Sequence, residues 1–290
     1  MIKETNRRLP TPSKPLNYLV IGHVTADLKS DRVHLGGTAT FSSLTAQALG
    51  LTAGVITSHS SELDTSPLKS LWLLNKASHH TTTFKNISDG ITRTQYLYAV
   101  AAPLTEADIP TFDVPPDIVH LGPVANEVDL NVLQSFPKSL KCLTPQGWLR
   151  QTNVNHQVIP GEWENYEKTL HQADIAVISH EDVQMREDLI AHMAGAIPVF
   201  VVTENYKGAR VYWHNDARFI HAPEVKYVDD TGAGDIFATA FFYRYFHTRD
   251  PWEAGRFAVN LASWSVTRAH LESIPTPQEI KRAKLELIGN

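Results

Sequence analysis

Short β-branched runs at residues 18–22, 54–57, 118–121, 175–179 and 198–203 recur along the chain with amphipathic stretches between them. This spacing does not read as a string of hairpins; it fits an α/β fold, a mostly parallel sheet with helices on both faces. Two intervening stretches read as helices ending at a glycine: 40–49 before Gly50 and 183–194 before Gly195, each glycine suited to a left-handed C′ position. The alternation breaks twice. Residues 32–35 form a short extended piece before Gly36-Gly37, and 81–86 and 91–100 flank Ile87-Ser88-Asp89-Gly90 as the arms of a hairpin would. With 290 residues and 42% hydrophobic content, the chain can build one large domain with a small β appendage. The expected organisation is a flexible leader over 1–15 and a single domain over 16–290.

Composition narrows the partners. A net charge of −5 makes no electrostatic case for nucleic acid or a membrane surface. The single Cys142 leaves no internal disulfide and suits a reducing cytoplasm, the expected location. The leader is polar and proline-rich and lacks the apolar core of a signal peptide. No apolar run approaches the ~20 residues needed to span a bilayer.

The densest local signal is Asp229-Asp230-Thr231-Gly232-Ala233-Gly234-Asp235, running into Ile236-Phe237-Ala238-Thr239-Ala240-Phe241-Phe242. It reads as a glycine-rich turn opening into a helix, with a carboxylate in the first helical turn. Free N–H groups and the positive end of the helix dipole there suit an anion such as phosphate. Gly232 and Gly234 lack the Cβ that would hold a ligand off the backbone. Asp235 then lies where it can take a proton from an attacking hydroxyl. The motif resembles the C-terminal signature of the ribokinase/PfkB family of carbohydrate kinases, D-T-x-G-A-G-D, with Asp230 at the position usually held by Thr. Further matches run from about Tyr18 to Pro275.

The resemblance implies a three-layer ribokinase-like fold with a small β lid, here from about 28–35 and 81–101, short enough to be called reduced. It implies transfer of the ATP γ-phosphoryl, with Mg²⁺ and in some relatives a monovalent cation, to a small sugar, polyol or nucleoside. Asp235 is the implied base, and the amides of Gly232, Ala233, Gly234 and Asp235 are the implied anion hole. At 0.3–1 kcal/mol, the helix dipole alone would lower the pKa of Asp235 by less than about one unit.

Other segments match the family with departures. Asp27, in Val20-Ile21-Gly22-His23-Val24-Thr25-Ala26-Asp27, is placed just past a strand end and corresponds to the family's sugar-binding Asp; a turn or cap is the alternative. Gly36 and Gly37 resemble the start of G-G-x-x-x-N, with Phe41 in place of the Asn, either packing on an inositol-like or nucleoside acceptor or facing the core. Ser179 and Asp182, with Glu181 adjacent, weaken N-x-x-E; Asp182 and Glu181 are candidates for indirect metal organisation, and Ser179 also suits a helix cap. Thr203, Asn205 and Gly208 resemble the nucleotide-side T-x-G-x-x-G, with Asn205 replacing a glycine in left-handed backbone, and Asn260 matches an Asn near the adenine.

A P-loop is absent, Phe237 occupies the third glycine position of a dinucleotide fingerprint, and His180-Glu181 is followed by Gln184 instead of the second His of H-E-x-x-H. The fourteen histidines show no metal spacing. A ligand-binding protein without turnover is the alternative from another class, and a nucleoside kinase the alternative on the same scaffold. Monomer and homodimer both remain open.

Overall fold

The computed structural model describes residues 9–29, 32–88 and 93–286. Residues 1–8 of the expected leader and the hairpin tip at 89–92 lie outside the described residues. In chain order the N-terminal half comprises β1 (Tyr18–Ile21), β2 (Thr25–Lys29), β3 (Arg32–Gly36), α1 (Thr38–Ala48), β4 (Ala53–His59), β5 (Trp72–Ala77), β6 (Thr82–Ser88), β7 (Arg93–Ala99) and β8 (Ile118–Leu121). There follow β9 (Leu140–Leu143), β10 (Arg150–Thr152), β11 (Val158–Pro160), α2 (Tyr166–Leu170), β12 (Ile175–Ser179), α3 (Glu187–Gly195) and β13 (Val199–Thr203). The chain closes with β14 (Gly208–Trp213), β15 (Asp216–His221), α4 (Ala233–Thr248), α5 (Pro251–Ser265) and α6 (Pro277–Glu286).

A nine-stranded sheet runs in the order β15-β14-β13-β12-β9-β8-β1-β4-β5. All neighbours are parallel except the antiparallel β13–β14 and β14–β15 pairs at one edge. Both faces are covered. Tyr18, Val20, Val55, Val177 and Val201 pack with Phe237, Phe241 and Phe257 of α4 and α5. The alternate residues Leu19, Ile21, Ile56, Val119 and Val202 pack with Leu170, Ile190 and Met193 of α2 and α3. Burial on both sides is why these strands are continuous apolar runs in the sequence. Among the described residues, no helix is long and apolar enough to cross a membrane.

The expected end of α1 is present. Gly50 has φ 91, its N–H donates to Gln47 O at 2.9 Å, and Leu51 N–H donates to Ala46 O at 3.0 Å, the paired bonds of a Schellman cap. The expected helix over 183–194 is shorter. Gln184 and Met185 are left-handed (φ 53 and 59), so α3 starts at Glu187, and Gly195 is its last residue and not a C′ residue. Strands β5 and β9 were not expected; β9 has only four residues and β5 is a half-exposed edge.

A second sheet, in the order β3-β2-β6-β7, stands over the carboxyl ends of the main strands. Its strand β2 begins at Thr25, before the expected boundary at 28, and pairs with β3 and with distant β6. Glu127 ties the base of this arrangement together. It is 3% exposed, and its carboxylate accepts N–H bonds from His23 (3.0 Å), Val124 (3.0 Å) and Ala125 (2.7 Å). The His23 ring in turn contacts Thr82 Oγ1 (2.7 Å) and Ala102 O (3.0 Å), joining β6 to the end of β1. Glu127→Ala would leave three buried amides without an acceptor. It should lower stability by about 2–4 kcal/mol, read as a fall in the urea midpoint at unchanged m-value.

Candidate active site

The turn before α4 is shaped by its side chains. Asp229 Oδ1 accepts from Thr231 N (2.9 Å) and Thr231 Oγ1 (2.6 Å), an Asx-type turn that brings the chain into Gly232. Gly232 has φ 83, and a Cβ on it would lie 2.2 Å from the Phe41 ring. Ala233 N–H is committed to Asp230 O at 3.0 Å, so it is not a free anion-hole donor as expected. The next amides, of Gly234 and Asp235, belong to the first turn of α4, where intrahelical acceptors are lacking. A Cβ on Gly234 would meet nothing within 4 Å, so the backbone is open to a ligand there.

Asp235 lies close enough to the side chain of Thr38, the first residue of α1, to be influenced by it, and is in the field of Arg150, Asp27 and Asp182. Although Asp235 as a residue is only half-buried, burial of its carboxyl is the leading influence and pushes its pKa up to about 6. The Thr38 side chain and the Arg150 charge oppose this, while Asp27 and Asp182 add to it. The direction is opposite to the small dipole-driven decrease expected from sequence.

Asp27 sits within β2 and not in a loop past β1, because residues 25–29 pair with β3 and β6. Thr25 Oγ1 donates to its Oδ1 at 2.8 Å. Gly36 makes room for this carboxylate, since a Cβ there would be 2.3 Å from Asp27 Oδ2. Gly37, with φ 85, passes close to His23 O. Both glycines therefore have structural reasons of their own. Phe41 is 2% exposed, packed under Gly232 and edge-on to His270 at 5.7 Å. Its ring supports the turn from the core side and does not offer a face to an acceptor.

The two acids after β12 diverge. Asp182 is turned inward, with Oδ2 accepting from Ser179 N (3.0 Å), and Oδ1 accepting from Gln146 Nε2 (3.3 Å) and standing 4.0 Å from Arg150. Burial raises its pKa. Glu181 is exposed and accepts from Asn205 Nδ2 at 2.8 Å. Ser179 caps a turn through Glu181 N (3.2 Å) and not a helix, since α3 starts only at Glu187. Among the described residues, no group of three or more His, Cys, Asp or Glu is arranged to hold a metal ion.

Thr203 ends β13 and its hydroxyl donates to Ile178 O at 3.3 Å. Asn205 is left-handed with φ 52, and Gly208 has φ 126 with no room for a Cβ against Ile220 O. Asn260 is half-buried on α5, the helix that packs on β14 and β15. The site thus has Asp235 within the field of Asp27, Asp182 and Arg150, with Arg150 4.0 Å from Asp182. Thr38, Gln146 and Arg150 were not singled out in the sequence. Thr38 follows Gly37 at a helix start, a signal that could have found it; Arg150 follows a 3₁₀ turn, Pro145–Leu149, that carries no periodic pattern.

The pfkB family carbohydrate kinase model matches residues 150–278. No curated protein matches the sequence. Among solved structures, a pyrophosphate-dependent kinase in the ribokinase family, complexed with a pyrophosphate analog and myo-inositol, is similar with TM-score 0.78 and 20% identity, covering 92% of this chain and 99% of that one. The Methanocaldococcus jannaschii nucleoside kinase is similar with TM-score 0.72 and 16% identity, covering 95% and 99%. An uncharacterized sugar kinase from Pyrococcus horikoshii in complex with ATP is similar with TM-score 0.72 and 19% identity, covering 93% and 99%. The fold is ribokinase-like.

The raised pKa of Asp235 has a consequence for stability. Between the ordinary carboxyl value of 3.8 and about 6, the folded chain holds this proton while the unfolded chain releases it. Stability therefore falls as pH rises through this window, and the loss is complete above about 6. Asp235→Asn removes the buried charge. It should be more stable than the native protein at pH 8 by about 1–3 kcal/mol, with the gap closing towards pH 4. Thermal melts across that range check this, and equal melting temperatures at pH 8 would contradict it.

Proposed function

We propose that this chain, which carries a PfkB-family carbohydrate kinase domain over residues 150–278, transfers a phosphoryl group from Mg-ATP to a hydroxyl of a small sugar or polyol. The observation that carries the reading is the position of Asp235: in the first turn of α4 behind the Gly232 turn, beside Thr38 at the head of α1, and close enough to Asp27 for their charges to interact. One carboxylate is then available to bind acceptor hydroxyls and another to take the proton.

Phosphoryl transfer through a loose transition state depends on positioning and charge stabilisation more than on a strong base. The amides of Gly234 and Asp235 would hold the transferring group at the positive end of α4. With a pKa of about 6, Asp235 is ionised at neutral pH and more basic than an ordinary Asp. Asp27 would accept hydrogen bonds from vicinal hydroxyls, and Arg150 would face developing negative charge. Asp27 and Asp182 both add negative charge at Asp235, so a polyphosphate donor there would be favoured by accompanying cations. Mg²⁺ carried by the donor would supply that charge, while Asp182 holds Gln146 and Arg150 in place. Thr203, Asn205, Gly208 and Asn260 are assigned to the nucleotide side.

Similarity to a pyrophosphate-dependent relative favours a second donor reading, and its bound myo-inositol favours a cyclic polyol as acceptor. The test is donor consumption with Mg-ATP and with pyrophosphate across sugars, inositols and nucleosides. Transfer to one acceptor class is expected. Asp235→Asn should lower kcat by about 10²–10⁴-fold while donor binding survives, and Asp27→Asn should raise the acceptor KM by about 10–100-fold. For the native protein, kcat/KM should rise with pH through about 6. Donor binding with no transfer to any acceptor would overturn the kinase reading in favour of a ligand-binding protein.

A further inference from the structure

The small sheet touches the loop carrying the Asp235 turn at two points. Lys29, the last residue of β2, reaches Asp229 across 200 positions of sequence, with Nζ 3.4 Å from Oδ2. His34, on β3, lies against the ring of His270 with centroids 4.7 Å apart. Alternation along β2 puts Asp27 and Lys29 on one face, and register places His34 directly opposite Asp27. The residue assigned to the acceptor and both contact residues therefore share one face of one strand pair.

The other side of the contact leads into the turn. Asp229 organises Thr231 and also accepts the backbone N–H of His270 at 3.3 Å. His270 packs edge-on to Phe41, and Phe41 fills the space beside Gly232. His270 is itself unusual. It is a left-handed non-glycine (φ 50) whose buried Nε2 has no hydrogen-bond partner. Backbone strain and an unsatisfied buried nitrogen at one residue mark a place where optimal stability has been given up, as happens at functional junctions.

We infer that Lys29 and His34 are positioning residues that clasp the strand pair bearing Asp27 to the loop bearing Asp229 and His270, so that acceptor site and anion-holding turn are set relative to each other. The inference rests on the phosphotransfer reading for its catalytic meaning, but the clasp is a mechanical claim of its own. The Lys29 side chain is 45% exposed, and exposed pairs of this kind add little to global stability. Its role is the local geometry of the turn. A loosened clasp leaves the turn able to hold donor while the acceptor is poorly placed, so water competes as the nucleophile: the donor's terminal P–O bond is cleaved and the phosphoryl goes to water in place of the acceptor oxygen.

The test uses the full chain with Lys29→Met, Lys29→Arg and His34→Ala. In protein alone, amide hydrogen exchange over 229–236 should speed up by about 3–5-fold in Lys29→Met and His34→Ala, with melting temperatures near native and Lys29→Arg restored. In turnover with Mg-ATP or pyrophosphate, the ratio of hydrolysis to acceptor phosphorylation should rise by a similar factor in the same two variants. Unchanged exchange in both variants, exchange raised throughout the molecule, or failure of Lys29→Arg to restore protection would each overturn the clasp. A native protein that phosphorylates no acceptor would defeat the phosphotransfer reading instead, and the exchange result would still decide the clasp.

Discussion

Gly232 carries two demands at once. Its φ of 83 is strained for any residue with a Cβ, and the space a Cβ would fill is taken by the Phe41 ring. Phe41 comes from α1 and Gly232 from the turn before α4, so this contact sets how the starts of the two helices meet. The same meeting puts Thr38, at the head of α1, beside Asp235. Gly122 serves it from beneath, since a Cβ there would lie 2.4 Å from Thr38 Cγ2. A larger residue at Gly232 or Gly122 would therefore act first on the placement of Asp235.

Two electrostatic effects compete at that carboxylate, and their sizes decide the outcome. The helix dipole favours the ionised form by no more than about 1 kcal/mol, under one pKa unit. Burial, reinforced by Asp27 and Asp182, moves the group the other way, to about 6. Burial wins, so the carboxyl holds its proton to higher pH than an ordinary Asp. The same crowding of acids makes Arg150 important beyond its own contacts, because it holds Asp182 at 4.0 Å and opposes the rise at Asp235.

Much of the sheet was legible because strands buried on both faces must be continuously apolar. Residues 118–121 and 175–179 match β8 and β12 residue for residue, and the glycine turn into α4 stands where the motif places it. What escaped was fixed by distant partners. Strand β2 is Thr-Ala-Asp-Leu-Lys, too short and polar to signal a strand, and its pairing with residues 82–85 is invisible locally. That omission left Asp27 just past a strand end instead of inside β2. Arg150 and Gln146 both meet Asp182, more than thirty positions away, a pairing that nothing local in the sequence signals. The 183–194 pattern was amphipathic enough for a helix, but two left-handed residues delay it to Glu187, a choice tied to Met185 N–H closing onto His180 O at 2.9 Å.

The loops after β12 and β13 are bound together by side chains. Asn205 stands where a glycine is usual, and left-handed backbone is strained for it unless something holds it there. Its side chain is held by Glu181, itself the residue beside the altered N-x-x-E position. Around this pair, Arg210 binds Glu204 at 2.5 Å and grips both oxygens of Glu187 at 2.7 and 2.9 Å, while His180 also reaches Glu187 at 2.9 Å. Loops following β12 and β13, the start of α3 and strand β14 are thus tied into one network. A glycine-rich loop is free to close on a ligand but loses more entropy when it does; a loop prefixed by side-chain bonds gives up that freedom in advance. Asn205 therefore holds a left-handed conformation with its side chain fixed by Glu181, while Arg210 fixes the neighbouring Glu204.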